Sequence, residues 1–547
     1  QLETYEDMMD YPLLVHKFLE RTAVFYPDKE IITREEGSNH RYTYAELMYR
    51  STRLSNALAE LGVRQGDRVG TFAWNQYRHL EVYFAAPAMG AVLHTINIRL
   101  FIEDLVYIIN HAEDKVILVD PDLVPILEPL ATQFEFVDHF IVMTDDRNFK
   151  TTLPSAYNYE DLISGASDTY SPASLAEDEP AGLCYTSATT GRPKGVIYSH
   201  RGIVLHSMME AQADTIGFRE RDVVLPVVPM FHANCWGVPY SSAMVGANLV
   251  LTGVRPDPEA ICRLFESEKV TLSLGVPTIW VGILDYLERS GNTHDFSSLR
   301  ELASGGSAVP ISLIESYREK LGVNMVQAYG MTEATPVISY NRRSSKLDDM
   351  TEGEKLQLAG TQGAMVPGLE MRLVDEGGND LPWDGEQRGE LLFKGPWIAD
   401  SYFNDSRSAE TFIDGWYHSG DIACVDSNGY IQIGDRVKDM VKSGGEWISS
   451  VDLETAIIAH PEVLEAAVIA IPHDRWGERP LACVVPKSDA SGKLEKGDIL
   501  DFIRDRFASW WMPDDVVFID EIPKTSVGKF DKKFLRDRYH GHEPDAL

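Results

Sequence analysis

Short apolar runs of the kind that form buried strands recur along the chain: "RVGTFAW" at 68–74, "KVILVD" at 115–120, "HFIVM" at 139–143, "AGLCYT" at 181–186 and "DVVLPVV" at 222–228. Segments of helical period lie between them. The stretch 43–61 opens on "TYAE", a capping box with Thr43 at the N-cap and Glu46 at N3. Leu47, Leu54, Leu58 and Leu61 then follow one helical face, and Gly62 ends it. Strands alternating with helices predict an α/β protein whose parallel-type sheets are covered on both faces. No repeat of 20–50 residues interrupts the pattern. At 547 residues the chain exceeds one simple core, and a division by about 150 residues per unit suggests roughly three to four units.

The pattern changes near Gly434. After "GYIQIGDRVKDMVKSGG" the chain reads as a compact α/β unit. A helix begins near Ser450, a strand covers "AAVIAI" at 466–471, and a helix over 497–507 carries Ile499, Leu500, Phe502, Ile503 and Phe507. A last strand covers "VVFI" at 516–519. These signals predict a large N-terminal domain, 1–434, and a small C-terminal domain, 435–547, long enough for a modest core of its own.

Charge narrows the partners. Lys and Arg number 50 against 84 Asp and Glu, a net charge of −34. Nucleic-acid surfaces need clustered cations to displace counterions, and anionic membranes attract basic rather than acidic segments. Neither partner is expected, and the acidity reads as solubility. Any phosphate ligand must find its cations concentrated in one pocket. The five cysteines, at 184, 235, 262, 424 and 483, include no C-x-x-C pair. That excludes a compact zinc site and points to reduced, buried thiols in a cytoplasmic protein. The longest apolar stretch, "TLSLGVPTIWVGIL" at 271–284, is broken by Gly and Pro and is too short to span a bilayer. The N-terminus shows no basic-then-apolar signal pattern.

One loop bears on chemistry. "YTSATTGRPKG", Tyr185 to Gly195, packs hydroxyls, glycines and two cations directly after a buried strand. Small residues let backbone N–H groups approach an anion, hydroxyls donate further bonds and Lys194 adds charge. The same composition also makes ordinary surface turns, and the spacing is not that of a P-loop. On these residues alone both readings stand.

Six further stretches bear on the choice: "PMFHANCWG" 229–237, "SGGSA" 304–308, "QAYGMTE" 327–333, "GWYHSGD" 415–421, "GDRVKDMVKSGGEWIS" 434–449 and "PKTSVGK" 523–529. In this order, with the loop, they resemble the motifs of the adenylate-forming superfamily, and most closely its fatty-acid-type, AMP-forming acyl-CoA synthetases. The resemblance covers essentially the whole chain. It departs at Ala188, where glycine is usual and where Ala would tolerate a positive φ poorly.

The resemblance implies a two-step reaction: a carboxylate attacks the α-phosphorus of ATP to give acyl-adenylate and pyrophosphate, and the thiol of coenzyme A then displaces AMP. By the same resemblance Thr186, Ser187, Ala188, Thr189, Thr190, Gly191 and Lys194 hold the terminal phosphates. Glu333 supplies a hard oxygen to Mg2+, with Thr186 beside it. Gln327, Ala328, Tyr329, Gly330 and Thr332 meet the nucleotide, with Tyr329 stacked on adenine and Thr332 at the α-phosphate. Gly306, Ser307 and Ala308 border the base. Asp421 accepts from the ribose hydroxyls, supported by Arg436. Lys438 is the hinge about which the small domain swings, and Gly444, Gly445 and Glu446 line the pantetheine channel. His232 lies beside the carboxylate and thiol path, and Trp236 matches a gate. Thr278, Trp280, Gly305, Gly306, Pro336 and Val337 neighbour the acyl group. Lys529 comes from the small domain to bridge carboxylate and α-phosphate, a role suited to a compact, mobile ammonium.

The acid expected is short- to medium-chain, with 3-methylmercaptopropionate the leading candidate. A long-chain fatty-acyl-CoA ligase and a stand-alone enzyme loading a carrier protein are the alternatives. Segment 1–100, with "RHLEVYFAAPAMGAVLHTINIRL" at 78–100, is similar to ligases that pair through their large domains, which implies a homodimer. A serine hydrolase is excluded by the lack of a Gly-x-Ser-x-Gly elbow. The ending "PDAL" is not a peroxisomal address, and nothing favours a luciferase-type oxidation. If Lys529 has the role that the resemblance implies, Lys529→Ala cripples acyl-adenylate formation and largely spares thioester formation from supplied acyl-adenylate. Equal loss in both half-reactions, measured separately, would remove Lys529 from that role.

Overall fold

Thr43 starts its helix as the sequence requires. Its Oγ accepts from the Glu46 N–H while its own N–H donates to the Glu46 carboxylate at 2.7 Å. The helix runs Tyr44–Glu60, buries Leu47, Leu54 and Leu58, and closes where Gly62 takes a φ of +91°. The computed structural model describes residues 9–542 except 170–172, 187–191, 343, 437–438, 444–445, 474, 488–489 and 526–529, and only the backbone of 435, 436, 442, 446 and 447.

The expected strands of the large domain form within a residue or two of their predicted ends, and the one expected at 466–471 is longer, Val463–His473. Arg68–Phe72 lies at the centre of a sheet ordered Ala156–Asn158, His139–Val142, Asp114–Val119, Arg68–Phe72, Val92–Thr95, Pro180–Tyr185, Gly195–Ser199. Pairing is parallel up to Pro180–Tyr185, and the last pair is an antiparallel hairpin. The hydroxyl-rich loop connects the two strands of that hairpin.

The second sheet differs from the expectation of parallel strands. Its first half, Glu30–Thr33, Asn248–Leu251, Val223–Pro226, Leu272–Gly275, Glu301–Ser304 and Met325–Gly330, is parallel. From Met325–Gly330 onward it is antiparallel: Val337–Tyr340, Gly363–Met365, Tyr430–Arg436, Trp416–Val425, Gly389–Lys394 and Glu370–Val374. At the switch itself the cause is connection length. Parallel neighbours need a crossover of a dozen or more residues, and only six residues, 331–336, separate the two strands at the switch. Buried Glu301 secures the joint, accepting from Tyr340 Oη at 2.6 Å and Arg342 Nη1 at 2.9 Å.

The smaller unit has its own mixed sheet: Glu446–Ile448, Val441–Ser443, Gly477–Pro486 and Val463–His473 antiparallel, with Asp515–Phe518 parallel to Gly477–Pro486. Helices Ser450–Ile458, Lys496–Ile503 and Lys532–Tyr539 pack on it. The helix expected over 497–507 stops at Ile503. Beyond a 3-10 turn, Phe507 leaves the helical path and stacks on Trp511 at 5.6 Å. The expected boundary at 434/435 falls inside Tyr430–Arg436, whose pairing with Trp416–Val425 extends to Arg436. Among the described residues, each buried cluster draws either on residues up to 431 or on residues from 441 onward.

The units touch at this junction. Ser449 Oγ donates to the Gly434 carbonyl at 3.2 Å, and Arg388 Nη2 donates to Asp452 Oδ2 at 3.3 Å. The Arg388 guanidinium packs directly over Gly434, so a Cβ there would lie 1.9 Å from Nη1 and would displace it. All five cysteines are free and buried.

Candidate active site

The hairpin Pro180–Tyr185 and Gly195–Ser199 carries the phosphate-type loop. At its neck the Thr186 N–H donates to the Lys194 carbonyl at 2.9 Å, and the Lys194 N–H donates to Thr186 Oγ1 at 3.2 Å. The Lys194 ammonium lies 3.9 Å from the centre of the Tyr402 ring. The Tyr402 hydroxyl donates to Glu333 Oε1 at 2.7 Å. One phenol therefore joins the cation and the carboxylate that the sequence assigned to phosphate and metal. Burial, and then the Glu333 charge, raise the Tyr402 pKa, so the phenol stays a donor. Ser187, Ala188, Thr189, Thr190 and Gly191 lie outside the described residues, as do Lys438, Gly444, Gly445 and Lys529, and the side chains of Arg436 and Glu446 are not described.

Glu333 sits in the 3-10 turn Thr332–Ala334, which follows the strand Met325–Gly330. Tyr198 Oη donates to the Thr332 carbonyl at 2.7 Å, and the Ala399 N–H donates to the Glu333 carbonyl at 2.8 Å. The turn is thus fixed from both sides. Among the described residues no group of three or more His, Cys, Asp or Glu could hold a metal ion. A single carboxylate with a neighbouring hydroxyl, as Glu333 and Thr186 would be, suits a cation that takes most of its ligands from water and phosphate, as Mg2+ does.

Tyr329 projects from Met325–Gly330 and donates its hydroxyl to Asp421 Oδ2 at 2.6 Å. Asp421 lies on Trp416–Val425, is 4% exposed, and donates its own N–H to Ser419 Oγ at 3.1 Å. Gln327 behaves differently from its neighbours. Its Oε1 accepts from the Val309 N–H at 2.6 Å and its Nε2 donates to the Gly360 carbonyl at 3.4 Å, so its amide shapes the loop after Gly306, Ser307 and Ala308. Gly305 is forced by close approach, since a Cβ there would lie 2.8 Å from the Ala328 carbonyl oxygen and 3.2 Å from the Trp236 ring. The sequence thus brings Gly305, Ala328 and Trp236 to one place, although they stand in three motifs.

His232 precedes a left-handed turn, Ala233–Gly237, with φ of +43°, +47°, +55°, +56° and +81°. Left-handed backbone costs L-residues roughly 1–2 kcal/mol each, and four of these five are not glycine. The Cys235 N–H donates to the His232 carbonyl at 2.9 Å. Trp236, only 9% exposed, faces Gly305. Thr278 stands in the first turn of Pro277–Ser290. Trp280 is wholly buried against Gly275 and Tyr317. Val337, next to Pro336, donates its N–H to His206 Nε2 at 3.1 Å. Burial lowers the His206 pKa to about 3, so the ring is neutral and carries its proton on Nδ1, which faces Glu210 Oε2 at 3.7 Å. Burial raises the Glu210 pKa, and Ser241 donates to its carboxyl.

Sequence reasoning missed Tyr402, Tyr198, Asn234 and the His206–Glu210 pair. Only Asn234 carried a signal, since Asn is enriched among non-glycine residues at positive φ.

The AMP-binding enzyme family matches residues 19–403, and the AMP-binding enzyme C-terminal domain matches 452–529. The chain is 47% identical over 539 residues to a long-chain-fatty-acid–CoA ligase of Thermus thermophilus, covering 98% of this chain and 97% of that one. It is 43% identical over 534 residues to a 3-methylmercaptopropionyl-CoA ligase of Ruegeria lacuscaerulensis, covering 97% and 98%. The fold matches an anthranilate CoA ligase solved with anthranoyl-AMP at a TM-score of 0.86 and 27% identity, covering 97% of this chain and 98% of that one. Loss of the hydroxyl in Tyr329→Phe is expected to raise the KM for ATP by about tenfold, the worth of one hydrogen bond to a charged group. Steady-state kinetics with ATP varied check it, and an unchanged KM would detach the Tyr329–Asp421 pair from the nucleotide.

Proposed function

The chain belongs to the AMP-binding enzyme family as an AMP-forming acyl-CoA ligase, and from that premise we propose that it activates a short- to medium-chain carboxylic acid, with 3-methylmercaptopropionate the leading candidate. In the first step a carboxylate oxygen bonds to the α-phosphorus of ATP and the bond to the β-phosphate oxygen breaks, releasing pyrophosphate. In the second the sulfur of coenzyme A bonds to the acyl carbon and AMP leaves, while the thiol proton passes to solvent or base.

The observation that carries the site reading is the Lys194–Tyr402–Glu333 group beside the Tyr329–Asp421 pair. Lys194 and the loop 186–191 hold the terminal phosphates. Glu333 and Thr186 hold Mg2+, which when bound offsets phosphate charge. Asp421 accepts from the ribose, oriented by Tyr329. His232 and Trp236 border the acid, with Gly305, Pro336 and Val337. Lys529 serves adenylation and Lys438 is the hinge between a domain of residues 1–434 and one of 435–547. Gly444, Gly445 and Glu446 line the thiol path.

Burial of Trp236 against Gly305 supports a short acyl pocket, and so does the 43% identity to the 3-methylmercaptopropionyl-CoA ligase. The 47% identity to the long-chain ligase favours the second reading, a long-chain acid. We also propose a cytoplasmic homodimer joined through the large domains, which leaves the small domain free to turn. No helix among the described residues is long and apolar enough to cross a membrane. Light scattering that returned 61.3 kDa, the mass of one chain, would rule the dimer out.

Comparison of kcat/KM for 3-methylmercaptopropionate, C3–C16 fatty acids and aryl acids at fixed ATP and coenzyme A tests the substrate. The optimum is expected at 3-methylmercaptopropionate or at C4–C6, falling by about 10-fold or more per misplaced methylene. A profile still rising beyond C12 would replace this reading with the long-chain one.

A further inference from the structure

Ala233, Asn234, Cys235 and Trp236 form an unbroken left-handed run with φ between +43° and +56°. L-residues visit this region singly, not in series, so the run persists only because its surroundings over-determine it. The Cys235 thiol donates to the Val228 carbonyl at 3.2 Å. Gly237 closes the turn against His206, whose ring would lie 3.0 Å from a Cβ at that position.

The third fastening is the Asn234 side chain. It is 2% exposed. Its Oδ1 accepts from the Cys184 thiol at 3.1 Å and from the Thr95 hydroxyl at 3.4 Å. Thr95 and Cys184 are register partners on neighbouring parallel strands, and Cys184 stands two residues before Thr186. Gly182, on the same strand, leaves room for the amide, since a Cβ there would lie 2.9 Å from Asn234 Nδ2. That Nδ2 is buried and, among the described residues, has no hydrogen-bond partner. A buried donor left unmade weakens the fold, so stability alone does not account for an amide here.

We infer that Asn234 is a positioning residue for the acyl side of the reaction. Its amide ties the turn that carries His232 and Trp236 to the strand that leads into the phosphate-type loop. It thereby sets the distance between the bound carboxylate and the α-phosphorus, the kind of alignment on which a bimolecular displacement depends steeply. The inference rests on the reading above that His232 and Trp236 border the acid.

The full-length enzyme tests it by ATP–pyrophosphate exchange with 3-methylmercaptopropionate and hexanoate. Asn234→Gly keeps a residue that takes left-handed backbone freely and removes the side chain with its amide. The KM for acid is expected to rise by about tenfold while the KM for ATP stays put. The pair Thr95→Val with Cys184→Ala removes both donors and should reproduce that profile. Adding Asn234→Gly to the pair should cost nothing more. Wild-type KM for acid in both variants would overturn the inference, as would parallel loss for acid and ATP with a lowered melting temperature. If Asn234→Gly does not fold, the Thr95 and Cys184 pair decides alone. Unchanged acid kinetics in His232→Ala and Trp236→Ala would instead overturn the acyl-side assignment, and the inference with it.

Discussion

The phenol of Tyr402 sets the electrostatics of the site. Its ring face carries the Lys194 ammonium and its hydroxyl reaches the Glu333 carboxylate. Placed in direct contact in a partly dry interior, an ammonium and a carboxylate would bind each other strongly and have little left for a ligand. With an aromatic ring between them, the lysine is held by a cation–π contact and the carboxylate by one neutral donor. The phenol thus keeps the two charges near each other without joining them directly. An AMP-forming acyl-CoA ligase receives polyphosphate and releases pyrophosphate in each turnover, a task that charges fixed in position would serve.

The scaffold behind the phenol explains the rigidity. Glu333 projects from a turn clamped by Tyr198 and Ala399, just past the place where the large sheet changes from parallel to antiparallel. Ligands of open α/β sheets gather where strand order or direction changes, because the flanking loops diverge there and leave a crevice. Met325–Gly330 is the strand shared by both halves, and it delivers Tyr329 and, in the turn beyond it, Glu333. Buried Glu301, with Tyr340 and Arg342, fastens the two halves at that strand's flank.

Local signals were legible in the sequence. The capping box at Thr43, the leucine face and the short strands follow from nearest-neighbour chemistry, and each formed close to its predicted ends. Among the residues singled out in the motifs, Lys194 and Glu333 meet through Tyr402, and Tyr329 meets Asp421. What the sequence hid depends on distant partners. Tyr402 stands outside every motif, and only the fold brings it between residues 194 and 333. The switch from parallel to antiparallel in the large sheet comes at a six-residue connection, 331–336, that periodicity does not register. The helix at 496–503 ends early, and Phe507 stacks on Trp511, a contact that local periodicity does not register. The left-handed run behind His232 goes against local preference, and conflicts of that kind collect where geometry serves a purpose other than stability.

The buried cysteines divide themselves among the cores. Cys184 and Cys235 lie in the largest cluster, Cys262 in the one beneath Pro277–Ser290, and Cys483 in the smaller unit. Burial holds every one of these thiols above its ordinary pKa, Cys184 at about 11 and Cys262 and Cys483 at about 12. The reactive thiolate is therefore scarce as well as sheltered. Alkylation at each sulfur can proceed only as fast as its own core opens, so the chain carries built-in clocks for sub-global unfolding in both of its units, readable by mass spectrometry without adding a label site.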